Sequence, residues 1–128
     1  MESSYSIEPA ENLVRLRIWG AITVDGMIEL IRRIGRDPGF RHSSMAVLVD
    51  MRGCSGDWDY SEIQRYRDYL VHIAQSHKGL WATVVPAGSV EALMHVLIVI
   101  SEALGDRIRM RWFEEPHQAL SWIAEQRV

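Results

Sequence analysis

The sequence predicts an α/β domain with elements in the order β-β-α-β-α-β-α-β-α: a mixed five-stranded sheet with helices packed on it. Three features carry that prediction. The chain opens with two extended segments joined by turn chemistry, which reads as a hairpin. Met45 to Val49 is a continuous apolar run, as a central strand requires when both of its faces are covered. After the hairpin, segments with apolar residues at helical spacing alternate with short apolar runs, the pattern of parallel strands joined by right-handed crossovers. At 128 residues, 48% hydrophobic and 24% charged, the chain reads as a single domain over 1–128, large enough to bury roughly 65–70% of its unfolded surface.

In chain order, Ser4 to Ile7 is the first extended segment, and Glu8-Pro9-Ala10-Glu11-Asn12 is the turn. Leu13 to Trp19 then alternates, with Leu13, Arg15, Arg17 and Trp19 opposite Val14, Leu16 and Ile18. Arg15 and Arg17 are assigned to a solvated face, where alternation alone places polar residues. Gly20-Ala21-Ile22-Thr23 leads into a helix that Thr23 or Asp25 can cap, with Met27, Leu30, Ile31 and Ile34 on one stripe. Gly35 and Arg36-Asp37-Pro38-Gly39 should end it.

Met45 to Val49 empties through Asp50 into a polar loop, Met51 to Tyr60, that holds Cys54, Asp57, Trp58 and Asp59. Such a loop after a central strand is where an α/β protein usually keeps its working surface. Ser61-Glu62-Ile63-Gln64 follows the capping-box pattern and should start the second helix, whose stripe is Ile63, Tyr66, Leu70 and Ile73 and whose stop is Gly79. Leu80 to Val85 is the next strand, broken by Pro86. Ser89 can cap a third helix through about Leu104, apolar on nearly every side from Leu93 to Ile100. A helix of that kind needs a second burial surface, and Met94, Leu97 and Ile98 are assigned as contacts with a second copy of the chain. Arg107 to Phe113 alternates Ile108, Met110 and Trp112 with three arginines, as an edge strand would. Pro116, behind Glu114 and Glu115, suits a first helical turn, and Ala119, Leu120, Trp122 and Ile123 define the last helix.

Composition narrows the function classes. A formal net charge of −3 and a pI near 5.9 give no general attraction to nucleic acid or anionic lipid. The apolar stretch around Leu93 to Ile100 is shorter than the ~20 residues of a membrane span. The amino terminus, MESSYSIEPAEN, lacks the basic and apolar regions of a secretory signal. With Cys54 alone there is neither an intrachain disulfide nor a cysteine metal site. The expected location is therefore the cytoplasm.

The element order, together with LVRLRIWGAIT, MAVLVDMRG and the ending MRWFEEPHQALSWI, resembles the SpoIIAA-like family, small bacterial proteins related to STAS domains. The resemblance spans nearly the whole chain, and the ending is its most specific part. It implies a non-enzymatic binding or regulatory module that acts through protein contact at the loop after the central strand. In the anti-sigma antagonists of that group, the loop carries an Asp-Ser-Ser-Gly-type turn and a serine at the following helix start is phosphorylated. Here the corresponding stretch reads Gly53-Cys54-Ser55-Gly56-Asp57-Trp58-Asp59-Tyr60-Ser61, with aspartates near the serine position. Ser61 occupies the helix start and is the candidate phosphosite, although Asp57, Asp59 and Glu62 would repel a phosphate there and a plain cap explains the same serine. The candidate partner-binding residues are Asp50, Asp57, Trp58, Asp59 and Ser61. Of the tryptophans, Trp58 is the one that core periodicity least demands, and an exposed indole beside acids would suit an interface.

Other chemistries find little support. A nucleophilic Cys54 would need a base and an anion cradle, and the following segment lacks Cys-x5-Arg spacing. Asp50, Asp57 and Asp59 could attract Mg²⁺, but loop solvation and helix capping account for them equally. His72 and His77 do not share a helical face, and His42, His95 and His117 fall in separate elements, so no zinc spacing appears. Neither GxGxxG nor GxxxxGK[ST] occurs. The expectation is thus no enzyme activity, no metal, no cofactor and no nucleic acid. The partners expected are a second copy of the chain and another protein. The alternative is a carrier of a small molecule or lipid, with an apolar pocket near the third helix.

Overall fold

The computed structural model describes residues 1–41, 44–56, 58–86, 98, 100, 102, 104–105 and 107–127. Five strands form one sheet: β1 (Glu2–Glu8), β2 (Leu13–Ala21), β3 (Ala46–Ser55), β4 (Gly79–Val84) and β5 (Ile108–Phe113), in spatial order β1-β2-β3-β4-β5. β1 is antiparallel to β2, and β2 through β5 are mutually parallel. The helices are α1 (Val24–Arg36), α2 (Tyr60–Ala74) and α3 (Pro116–Gln126). Ile98, Ile100, Glu102 and Leu104 also have helical backbone, within the span read as the third helix in sequence. Met94 and Leu97, assigned to the dimer contact, and Asp57 of the loop lie outside the described residues. The mixed five-stranded α/β prediction is therefore borne out.

Because successive parallel strands step the same way across the sheet, right-handed crossovers put their helices on one face. That face joins Val14, Leu16, Ile18, Val47 and Val49 to Val24, Leu30 and Ile34 of α1, Tyr66 and Leu70 of α2, and Ile100 and Leu104. The opposite face packs Ala46, Leu48, Leu80, Ala82 and Val84 against Ala119, Trp122 and Ile123 of α3. β3, the middle strand, thus has apolar side chains on both faces. β5 is an edge strand, as its alternation required.

Several boundaries differ from expectation, each for a local reason. β1 begins at Glu2 because its full length pairs with β2, from Glu2 opposite Trp19 to Glu8 opposite Leu13. α1 passes through Gly35 and stops at Arg36, where Asp37 turns extended (φ −68°, ψ 125°) ahead of Pro38. α2 stops at Ala74, and Gly79 opens β4. A Cβ on Gly79 would sit 3.1 Å from the Met45 carbonyl oxygen, so the glycine serves close strand approach and not helix termination.

The largest difference is β3, which runs ten residues to Ser55 instead of ending at Val49. Arg17 pairs with Asp50 but Trp19 pairs with Gly53, so β3 carries an extra residue there, a bulge. Asp50 accepts from the Arg52 backbone N–H at 3.1 Å and from its guanidinium at 3.0 and 2.8 Å. The polar residues thus satisfy one another, and the strand continues along Trp19 to Ala21. Gly53 permits this, since a Cβ there would lie 3.1 Å from that of Trp19.

Candidate functional site

The loop after β3 is short, and Trp58 and Asp59 in it are held by specific partners. Gly56 has φ +117°, a conformation that favours glycine. The neighbouring loop after β2 is tied to it: the Ile22 N–H donates to the Ser55 carbonyl at 2.9 Å, and the Trp58 indole N–H donates to the Ile22 carbonyl at 3.1 Å. Trp58 is half-buried and meets Tyr66 edge to face, with ring centroids 5.2 Å apart. Its indole is therefore part of the wall between loop and helix.

Asp59, not Ser61, caps α2. Its carboxylate accepts from the Glu62 N–H at 2.9 Å, while the Glu62 side chain accepts from the Asp59 N–H at 3.2 Å. The expected box of Ser61 with Gln64 is corrected accordingly: the helix starts two residues earlier, because an aspartate precedes a serviceable Glu at the same three-residue spacing. The Ser61 hydroxyl donates to Asp59 at 3.0 Å. The Glu62 amide and the Ser61 hydroxyl hold the Asp59 carboxyl below its usual range. The Arg52 side chain does the same for Asp50. Cys54 lies in β3, and its thiol points to the Ile18 carbonyl at 3.3 Å. Burial pushes that thiol up to about 11, with the Asp50 charge adding to the effect. A thiol so placed is protonated at neutral pH and poorly suited to nucleophilic attack. Among the described residues, no group of three or more His, Cys, Asp or Glu side chains is placed to hold a metal ion.

Behind this loop lies a cavity of about 480 Å³ between the sheet and the helices α1 and α2. Leu16, Val49, Met51, Thr83 and Met110 supply its floor from β2 to β5, and Met27 and Ile34 of α1 face Ile63, Tyr66 and Ile73 of α2 across it. The lining runs from Ile22, Gly56 and Trp58, at the carboxyl ends of β2 and β3, to Phe40 and His77 at the other end of the sheet. Ile100 of the later helical segment also borders it. The two helices are joined at their outer surfaces, where Arg65 of α2 pairs with Asp25 at 3.0 Å and Arg32 of α1 lies 5.5 Å from the Tyr69 ring centre. They can therefore meet each other while leaving space against the sheet.

No protein-family model matches the sequence, and no curated protein matches it. Among solved structures, the chain is similar to an uncharacterized protein of the DUF3478 family from Shewanella loihica PV-4, described as having a SpoIIAA-like fold. The superposition has a TM-score of 0.61 at 14% identity and covers 94% of this chain and 93% of that one. The fold is SpoIIAA-like. At this identity the likeness speaks to architecture alone, and within the SpoIIAA-like frame the cavity and the loop after β3 are features argued from this chain's own residues.

The sequence points first to the loop and offers an apolar pocket near the third helix as the alternative; the cavity lies between the sheet, α1 and α2, with Ile100 at its border. Met27, Ile34, Ile63, Tyr66 and Ile73 carry a helix-packing pattern that a filled core and a cavity wall share. The one available signal was Thr83, a hydroxyl inside the otherwise apolar run Leu80 to Val85. Arg15 and Arg17 lie on the open part of the opposite face, with Arg15 paired to Glu8 at 2.6 Å and Arg17 5.3 Å from the Trp19 ring centre.

Proposed function

We propose that this chain binds a small apolar molecule between the sheet and the helices α1 and α2, acting by binding and not by catalysis. The observation that carries this reading is the 480 Å³ cavity with its apolar lining, within the ~300–1,000 Å³ typical of ligand pockets. The pocket opens partly to solvent, so an apolar occupant would displace water from an apolar lining, the favourable term in binding of this kind.

Native mass spectrometry of the purified protein tests this directly, together with titration of the apolar dye phenylnaphthylamine. A co-purified molecule, or saturable dye binding with enhanced fluorescence, supports the carrier reading. A bare protein mass with no dye binding refutes it. Location in the cytoplasm belongs to the same proposal and is supported by the single cysteine.

A second reading is favoured by Tyr60, which is 77% exposed at the first position of α2. With Asp50, Asp59 and Ser61 nearby in sequence, it offers an aromatic anchor with an acidic rim for another protein. Self-association is supported by Ile98, 43% exposed on its helical segment. A pull-down comparing wild type with Tyr60→Ala tests the protein contact: identical partners for both would remove that surface.

A further inference from the structure

We infer that the cavity selects a neutral apolar molecule bearing one carbonyl or hydroxyl oxygen, which Tyr66 and Thr83 hydrogen-bond. This rests on the reading of the cavity as a binding site. Tyr66 is 5% exposed and Thr83 4%, and both line the cavity. Neither hydroxyl has a hydrogen-bond partner among the described residues, yet none of the described buried side-chain nitrogen or oxygen atoms is sealed away without one. Both statements hold only if these hydroxyls face space that a small molecule can enter, and for two residues so deeply buried that space is the cavity. They approach it from different layers, Tyr66 from α2 and Thr83 from the middle of β4.

A hydroxyl facing an apolar enclosure is costly unless something bonds to it. Water can do so, and so can one oxygen on a ligand, accepting from either hydroxyl. Charge on the ligand is disfavoured, because no Asp, Glu, Lys or Arg lines the cavity among the described residues. An ionised head group would have no counter-charge there. His77, at the end of the cavity beside Phe40, already has its Nδ1 3.1 Å from the Ile73 carbonyl and 3.2 Å from the Ser76 hydroxyl. At roughly 30 Å³ per heavy atom in a liquid, 480 Å³ accepts on the order of 16 heavy atoms. That is room enough for a medium-chain alcohol or ketone such as decanol, or for a small aromatic ketone.

The test is displacement of bound phenylnaphthylamine by decane, decanol and, at neutral pH, decanoate, from wild type, Tyr66→Phe and Thr83→Val. In wild type, decanol should compete at least as well as decane and far better than decanoate. Each substitution should weaken decanol by roughly tenfold relative to decane in the same protein, the worth of one hydrogen bond. Because neither hydroxyl has a partner among the described residues, both variants should fold with an unchanged or higher thermal midpoint, checked by circular dichroism. If the decanol-to-decane ratio is the same in all three proteins, or decanoate binds best, the polar selection is wrong although the cavity still binds apolar molecules. If neither dye nor decane binds wild type, the cavity reading itself fails and this inference falls with it.

Discussion

Removing the Trp58 indole separates the two readings of the loop. If Trp58 is a wall of the cavity, Trp58→Ala loses three things: the bond to the Ile22 carbonyl at 3.1 Å, the edge-to-face contact with Tyr66 at 5.2 Å, and the burial of most of a tryptophan side chain. A neutral hydrogen bond contributes ~1 kcal/mol net, and an aromatic pair adds ~1 kcal/mol beyond its buried area. Truncation of a fully buried tryptophan costs ~3–5 kcal/mol with such contacts included, so for the partly exposed Trp58 about 3 kcal/mol is expected. With a urea m-value of ~2 kcal/mol/M, the unfolding midpoint should fall by about 1.5 M. Trp58→Phe keeps a ring against Tyr66 and loses the N–H, and should cost about 1 kcal/mol. Equilibrium urea unfolding followed by circular dichroism measures both. A Trp58→Ala stability within ~0.5 kcal/mol of wild type, the range of ordinary surface changes, would mean that the indole supports nothing. It would then be free to serve as a partner anchor.

Three further outcomes are expected. Asp59 is held below its usual value of 3.8 by the Glu62 amide and the Ser61 hydroxyl, so its contribution is fully present above that value and is lost as pH falls through the lower folded value. Thermal midpoints between about pH 2 and 6 should show a flatter acid limb for Asp59→Asn, which can still cap, and a lower midpoint near neutral pH for Asp59→Ala; Asp50, depressed by Arg52, titrates in the same window and leaves some slope. Cys54, raised from 9.0 to about 11, should react with iodoacetamide near pH 8 about a hundredfold more slowly in the folded protein than in urea, with the folded rate rising about tenfold per pH unit; equal rates would show an exposed thiol. Finally, Ile98→Glu should convert a dimer to a monomer in native mass spectrometry at micromolar protein, and a monomeric wild type would end the proposal of self-association.

The sheet was legible because its signals are local and periodic. Leu13 to Trp19 alternates, Met45 to Val49 does not, and Arg107 to Phe113 alternates again, and the structure makes them respectively the hairpin partner, the centre and an edge. Endings were less legible where a residue has more than one use. Gly35 permits a left-handed stop but continues α1, and Gly79 serves strand contact. The bulge at Asp50 was hidden because Asp50-Met51-Arg52-Gly53 has the composition of a loop. Its extended course depends on a carboxylate and a guanidinium two residues apart satisfying each other, which hydropathy does not register.

The cavity's place under α1 and α2 was illegible for a deeper reason. Periodicity reports which face of an element turns away from water, and Met27, Ile34, Tyr66 and Ile73 would show the same stripe whether the space before them held side chains or a ligand. What distinguishes the two cases is volume, set by how far α1 and α2 stand from the sheet. That separation depends on pairs such as Arg65 with Asp25, on the outer surface and far apart in sequence. The loop after β3 then acquires a different meaning. Gly56 and Trp58 close one end of the cavity, and Asp59 anchors the helix that carries Tyr66 into it. The residues the sequence singled out are the frame of a site whose centre lies behind them. A substitution in that frame should alter ligand affinity through the position of Tyr66 without touching the ligand.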